Sequence, residues 1–168
     1  MSKIIVMLGQ KDIDEAIEFI GVMRDDKVEH SVADKKFDEK NTSYAVNLMG
    51  YLGEIAVARA LNVEPDRTVR TGGDDGYDLV YNNKTIQVKT STLPSLIFNS
   101  LDLFTADIAI LVQLVGDRQN PHINAQYHIL GQIRREDFEK RAYQKDYGYG
   151  TRYVVDSEYL MPVFAEVK

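Results

Sequence analysis

The chain has 168 residues, a formal net charge of −6 and a pI near 5.1, a size that suits one compact domain. Hydrophobic residues make up 44% and charged residues 27% of it, which excludes a disordered or fibrous protein. The absence of cysteine excludes disulfides, thiolate zinc sites and cysteine nucleophiles, and it favours a reducing cytosol. The acidic balance also argues against a protein that coats nucleic acid through bulk positive charge.

Residues 1–40 are the most acidic part of the chain, with seven basic and ten acidic residues. The apolar run from Ile4 to Leu8 is too short for a signal sequence or a membrane span. We therefore expect a cytoplasmic protein that has no membrane partner. We also expect residues 1–40 to form an N-terminal helical extension to a domain spanning 41–168, the two making one compact unit.

A helix is predicted within this extension from Asp12, its N-cap, to about Arg24, because apolar residues recur there at helical spacing. The charged stretch 25–40 is either a loop or a weakly held polar helix.

A second helix, apolar on nearly every side, is predicted from 41 to about Leu61. Such a helix should lie against a sheet with little exposure to solvent. Gly50 and Gly53 each cost helix stability, so we expect them to allow close approach of another backbone.

Short strands follow, and two of them are joined by a turn at Asn82 and Asn83, because asparagine tolerates positive φ. An apolar crossover without a clear periodicity separates these strands from two further strands and a helix. The predicted strands are 68–71, 77–81, 85–90, 107–114 and 126–133, the crossover is 93–104, and the helix is 134–143. This order indicates an α/β fold.

Polar residues that could bind a metal or take part in catalysis occur in the second helix and in the hairpin. Glu54 is a carboxylate in an apolar helix, so it must be paired, hydrated, protonated or bound to a metal; a pairing with Arg59 or a solvent-facing position is the alternative. Asp78 begins the hairpin, and Gln87 and Lys89 share one face of its returning strand. The turn should bring a carboxylate, an amide oxygen and an ammonium group together.

This set suits metal-assisted hydrolysis of phosphodiester bonds. Mg²⁺ takes oxygen ligands, which Asp78, the Gln87 side chain and the Val88 backbone carbonyl can supply. Glu54 can add a second carboxylate, directly or through water. Lys89 can orient or activate the attacking water, or stabilise charge on the phosphate.

The segments GYLGEIAVARAL and GGDDGYDLVYNNKTIQVKTST resemble the PD-(D/E)XK nuclease superfamily, which has the restriction-endonuclease-like fold. The resemblance covers about Asn41 to Ile133 and is closest to the small stand-alone members of phages and bacteria. It implies a mixed central sheet flanked by helices, in the order α-β-β-β-α-β. It also implies a DNA nuclease, dependent on Mg²⁺ or Mn²⁺, in a phage-infected or bacterial cytosol, and it leaves a homodimer open.

Carried over residue by residue, the resemblance makes Glu54 the helix acid, Asp78 the strand acid, Gln87 the second-strand ligand and Lys89 the catalytic lysine. Gln87 stands where most members have Glu or Asp. A neutral ligand removes one negative charge, so we expect weaker metal binding and a stronger dependence on Glu54.

Other functions remain open from the sequence. The chain is alternatively a non-catalytic module of the same fold that binds nucleic acid or a partner protein, or an interaction protein whose acidic residues 1–40 engage a basic partner. A tyrosine-rich segment, 132–153, has six basic and four acidic residues. It is suited either to stacking bases and holding phosphates or to packing as a loop on the domain.

Overall fold

A computed structural model describes residues 3–29, 40–65 and 76–163, with the side chains of 3–22, 43–65 and 76–163. These residues contain three α-helices and eight β-strands. The helices are α1 (Gln10–Glu29), α2 (Lys40–Leu61) and α3 (Arg135–Arg141). The strands are β1 (Ile4–Val6), β2 (Leu79–Tyr81), β3 (Lys84–Ser91), β4 (Ser95–Phe98), β5 (Ile108–Val115), β6 (Gln126–Arg134), β7 (Tyr143–Asp146) and β8 (Thr151–Asp156).

The strands form two sheets. A five-stranded sheet has the order β1-β6-β5-β3-β2, and a three-stranded sheet has the order β4-β8-β7. Only β3 and β5 are parallel neighbours in the described sheets, and the other neighbouring pairs are antiparallel. The larger sheet is therefore mixed, and the predicted α/β class is confirmed.

Two apolar clusters hold these elements in layers. Helix α2 packs on one face of the larger sheet, where Ile86 and Val88 of β3 are buried. The opposite face carries the small sheet and α3, with Phe98 and Phe138 buried in a second cluster. The prediction that an all-apolar helix lies against a sheet is confirmed for α2.

The connection from β3 to β5 differs from the expected crossover helix. It consists of β4 and a short 3₁₀ turn at Leu101–Leu103, and all its residues are described. Leu96 and Phe98 are buried and alternate with half-buried residues, which is the period of a strand, and β4 pairs with β8. This face of the larger sheet is thus covered by a sheet and α3, and the order α-β-β-β-α-β is not observed there. The predicted strand 68–71 lies outside the described residues.

The described part of the N-terminal extension shares the sheet and the core with the rest of the chain. Strand β1, which the sequence had left unassigned, pairs with β6 at the edge of the larger sheet. Helix α1 packs on α2, where the rings of Phe19 and Tyr51 stack at 4.4 Å. Asp12, the expected N-cap, lies inside α1 and forms an ion pair with Arg59.

The turn between β2 and β3 matches the sequence prediction. Asn82 and Asn83 have φ angles of 48° and 62°, the left-handed conformation that asparagine tolerates. Along the described ranges, no helix is long and apolar enough to cross a bilayer.

Burial of His128 in β6 gives a testable pH dependence. Its Nε2 lies 2.9 Å from Gln126 Oε1, and burial, with the nearby charge of Lys3, lowers the pKa of the imidazole. The unfolded chain therefore binds a proton at a higher pH than the folded chain does. We expect the unfolding free energy to fall as the pH drops below about 6.5, and to fall less in His128→Gln. Urea titrations across this pH range measure both slopes; equal slopes would contradict the expectation.

Candidate active site

The carboxylate of Asp78 is fixed against the strand that carries Gln87 and Lys89. Its Oδ2 accepts a hydrogen bond of 2.7 Å from the backbone N–H of Val88. The Asp78 N–H in turn donates to the Ile86 carbonyl at 2.8 Å. These two bonds continue the pairing of β2 with β3 and hold the carboxylate beside residues 87–89.

The edge of β3 that faces Asp78 also carries a carbonyl oxygen. The N–H and C=O of one strand residue point to the same edge, so the bond from the Val88 N–H to Asp78 directs the Val88 carbonyl to that edge. Asp78 and the Val88 carbonyl, two of the four predicted ligands, are therefore brought to one side of β3.

Gln87 has a different environment from the one predicted. Its Oε1 accepts hydrogen bonds from the N–H groups of Thr105 and Ala106, at 2.9 and 3.0 Å. Its Nε2 donates to the Leu103 carbonyl at 3.0 Å. Both lone pairs of the amide oxygen are engaged, so Gln87 is not available as a metal ligand in this arrangement. It anchors the crossover instead, and a ligand role would require both bonds to break.

Thr105 links this anchor back to Asp78. Its hydroxyl donates to the Gly76 carbonyl at 2.7 Å, and Arg135 donates to its carbonyl at 2.9 Å. A chain of hydrogen bonds thus runs from Gln87 through Thr105 to Gly76, which lies two positions before Asp78. Gln87 is thereby connected to the backbone that carries the Asp78 carboxylate.

A second anchor fixes the start of the two parallel strands. The Asp107 carboxylate accepts hydrogen bonds from the N–H and the hydroxyl of Thr85, at 2.9 and 3.1 Å. These bonds lower the pKa of Asp107, the backbone N–H most strongly. The carboxylate therefore stays charged at neutral pH and holds the start of β3 to the start of β5.

Lys89 points to the face of the larger sheet that carries the small sheet. Its Nζ lies 4.8 Å from the centre of the Phe98 ring, a cation–π contact. The ring supports the ammonium group without neutralising it, so the positive charge is available to a phosphate.

Glu54 belongs to the other layer. Its neighbour Gly53 packs directly on Thr90, on the face of β3 that carries α2. Glu54 itself is partly buried. The four predicted site residues therefore come from two layers.

The oxygen ligands around Asp78 are few for a hard cation. Across the described ranges no group of three Asp, Glu, His or Cys residues is close enough to hold a metal. Mg²⁺ is commonly held by one or two carboxylates, with water and substrate oxygens completing its coordination. Asp78 and the Val88 carbonyl fit such a sparse site, with Glu54 as the candidate second carboxylate.

The sequence did not indicate three residues that surround the candidate site, which are Phe98, Thr105 and Arg135. Their partners are long-range: Thr105 lies 18 residues from Gln87 and 30 from Arg135. No local pattern marks such contacts, and the connection from β3 to β5, which carries Phe98 and Thr105, has no clear periodicity in the sequence. No protein-family model matches the chain, and no curated protein or solved structure matches it either.

The positioning role of Gln87 can be measured directly. In Gln87→Ala the Thr105 and Ala106 amides lose their acceptor, and we expect faster hydrogen exchange there and a loss of about 1–3 kcal/mol of unfolding free energy. Gln87→Glu keeps the acceptor but loses the donor to Leu103, so its effect should be smaller. Gln119→Ala, on an exposed loop, is the control. Unchanged exchange at both amides in Gln87→Ala would show that the side chain does not hold the crossover.

Proposed function

We propose that this chain is a divalent-metal-dependent nuclease that hydrolyses DNA phosphodiester bonds in a phage-infected or bacterial cytosol. The observation that carries the proposal is the contact between the Asp78 carboxylate and the Val88 N–H. This contact places an acid, at the residue before β2, against the segment of β3 that carries the Val88 carbonyl and Lys89, which is the arrangement that the resemblance to PD-(D/E)XK nucleases implies.

Each residue has a role that follows from its environment. Asp78 holds one oxygen against the Val88 N–H, which fixes the orientation of the carboxylate towards a ligand. The Lys89 ammonium lies over Phe98 and is suited to stabilise negative charge that develops on a phosphate. Glu54 is a second carboxylate that can orient water from the α2 side. Gln87 and Thr105 hold the Asp78 segment in position.

Mg²⁺ or Mn²⁺ is the proposed cofactor. Bound at Asp78 and the Val88 carbonyl, such an ion would lower the pKa of coordinated water and neutralise phosphate charge. Since Gln87 contributes no charge and is engaged elsewhere, we expect weak binding of the ion in the absence of DNA.

A second candidate function is a non-catalytic module of the same fold that binds nucleic acid or a partner protein. The engagement of Gln87 with the crossover favours it, because one expected metal ligand is then missing.

Cleavage of labelled DNA, measured with Mg²⁺, Mn²⁺ or EDTA, separates the two candidates. A nuclease cleaves with either metal and stops in EDTA. Binding of DNA without cleavage, over a range of concentrations of both metals, would support the module instead.

A further inference from the structure

The β7–β8 hairpin presents two cations at paired positions. Lys145 of β7 lies directly opposite Arg152 of β8. Like charges opposite each other destabilise an antiparallel pair, so this arrangement is costly unless an anion compensates it. Neither residue forms an ion pair with another described side chain, and the Arg152 guanidinium donates only to backbone carbonyls, those of Thr151 and Tyr149.

The acidic residues closest in sequence are engaged elsewhere. Asp146 Oδ1 accepts hydrogen bonds from the N–H groups of Gly148 and Gly150, at 2.7 and 3.3 Å. Asp156 accepts from the hydroxyls of Tyr143 and Ser95. Neither Asp146 nor Asp156 forms an ion pair with Lys145 or Arg152 among the described residues.

An aromatic ring stands at the tip of the hairpin. Tyr149 is 82% exposed and lies between Gly148 and Gly150, which have φ angles of 98° and 106°. The bonds to Asp146 hold this turn, so the ring is displayed on a fixed backbone. A second tyrosine, Tyr147, lies under the Lys145 ammonium at 4.8 Å.

The hairpin is connected to the candidate active site through the small sheet. Phe98, which supports the Lys89 ammonium, pairs with Tyr153 of β8, and Tyr153 pairs with Gln144 of β7. Neighbouring strands are about 4.8 Å apart, so β7 lies two strand spacings from β4. Side chains alternate between the two faces of a strand, so Lys145 and Arg152 project from the opposite face of the small sheet to Phe98 and Tyr153, and a bound polymer strand would pass around this sheet to reach the site.

We propose that the β7–β8 hairpin is a binding site for single-stranded nucleic acid. Lys145 and Arg152 contact phosphates, and Tyr149 stacks on a base. An exposed ring needs an unpaired base, which selects single strands over duplexes, and paired cations match a polyanion. The inference that this hairpin binds the substrate of the enzyme rests on the proposed function. The inference that it binds single-stranded nucleic acid does not.

The experiment uses the full chain, a fluorescent oligo-dT of about 20 nucleotides and anisotropy in EDTA over a series of salt concentrations. Tyr149→Ser should weaken binding about tenfold, whereas Tyr149→Phe keeps the ring and should bind within about twofold of the parent. The double variant Lys145→Gln/Arg152→Gln should reduce the slope of log K against log salt by about 1.4. Arg118→Gln, an exposed arginine on the β5–β6 loop, is the charge control and should leave the slope unchanged.

The outcomes separate this inference from the proposed function. No binding by the parent, equal binding of duplex, or unchanged binding by both the Tyr149→Ser and the double variant would overturn the hairpin site. If the parent nevertheless cleaves DNA with Mg²⁺, the nuclease proposal stands without it. If the hairpin variants lose binding while no metal supports cleavage, the hairpin site stands and the nuclease proposal fails. Circular dichroism of each variant checks that the fold is retained.

Discussion

In the presence of Mg²⁺, Asp78→Asn and Lys89→Met are each expected to lower the rate of DNA cleavage about a hundredfold or more. An asparagine oxygen can still accept the hydrogen bond from Val88, so Asp78→Asn removes the charge and keeps the strand pairing. Methionine can still pack on Phe98, so Lys89→Met removes the ammonium and keeps the apolar contact. Cleavage rates at saturating DNA, beside urea titrations, measure the effects on chemistry and on stability separately.

Controls keep this experiment specific. Glu139→Gln on α3 and Lys11→Met on α1 remove exposed charges far along the chain from the site, and both should leave cleavage unchanged. Asp78→Ala additionally loses the bond to Val88 and should cost about 1–3 kcal/mol of unfolding free energy. Full cleavage by both Asp78→Asn and Lys89→Met would remove these residues from the proposed mechanism.

Gly53→Ala is expected to destabilise the fold by about 3 kcal/mol, since overpacking of a close contact has costs of this order. A Cβ at this position would overlap the Thr90 hydroxyl and lie 3.0 Å from the Thr90 Cβ, so α2 or β3 would have to move. The Thr90 hydroxyl is buried and lacks a hydrogen-bond partner within the described ranges. Urea unfolding measures the loss.

Gly50→Ala is the matched control, on the same helix. A Cβ there meets no atom within 4 Å, so alanine should stabilise the helix by up to about 1 kcal/mol. The two glycine substitutions should therefore have opposite signs. Adding Thr90→Ala to Gly53→Ala should recover part of the lost stability, because the hydroxyl that overlaps the new Cβ is removed. Equal, small effects at Gly50 and Gly53 would contradict the close packing of α2 on β3.

The elements that could be predicted from the sequence are those with a local cause. Helix α2 has a long apolar pattern, and the Asn82–Asn83 turn has residues that tolerate its φ angles. The apolar run of β5 was likewise found, with its start at Ile108, one residue from the predicted boundary.

The small sheet could not be predicted because it depends on distant pairing. Strand β4 pairs with β8, and Ser95 and Asp156 are 61 residues apart. In the tyrosine-rich segment, β7 consists of exposed residues, and β8 buries two consecutive valines, Val154 and Val155, so neither strand shows the alternation of a half-buried strand. Their strand conformation is determined by pairing with β4 and with each other, which periodicity does not reveal.

The candidate site could be predicted only where its geometry depends on local sequence. The hairpin turn and its register bring Asp78 opposite residues 87–89, and both follow from local sequence. The direction in which Gln87 forms its bonds depends on the crossover backbone at Thr105 and Ala106, which no motif at position 87 encodes. A glutamine in this position was therefore interpreted from its chemistry as a metal ligand, whereas its contacts are those of an anchor.

A crystal structure determined with Mn²⁺, using anomalous scattering to locate the ion, tests whether Asp78 and the Val88 carbonyl hold a metal. We expect an anomalous peak between the Asp78 carboxylate and the Val88 carbonyl, with Gln87 still bonded to the Thr105 and Ala106 amides. A peak that is absent from this edge of β3 at saturating Mn²⁺, or that lies elsewhere in the chain, would contradict this expectation.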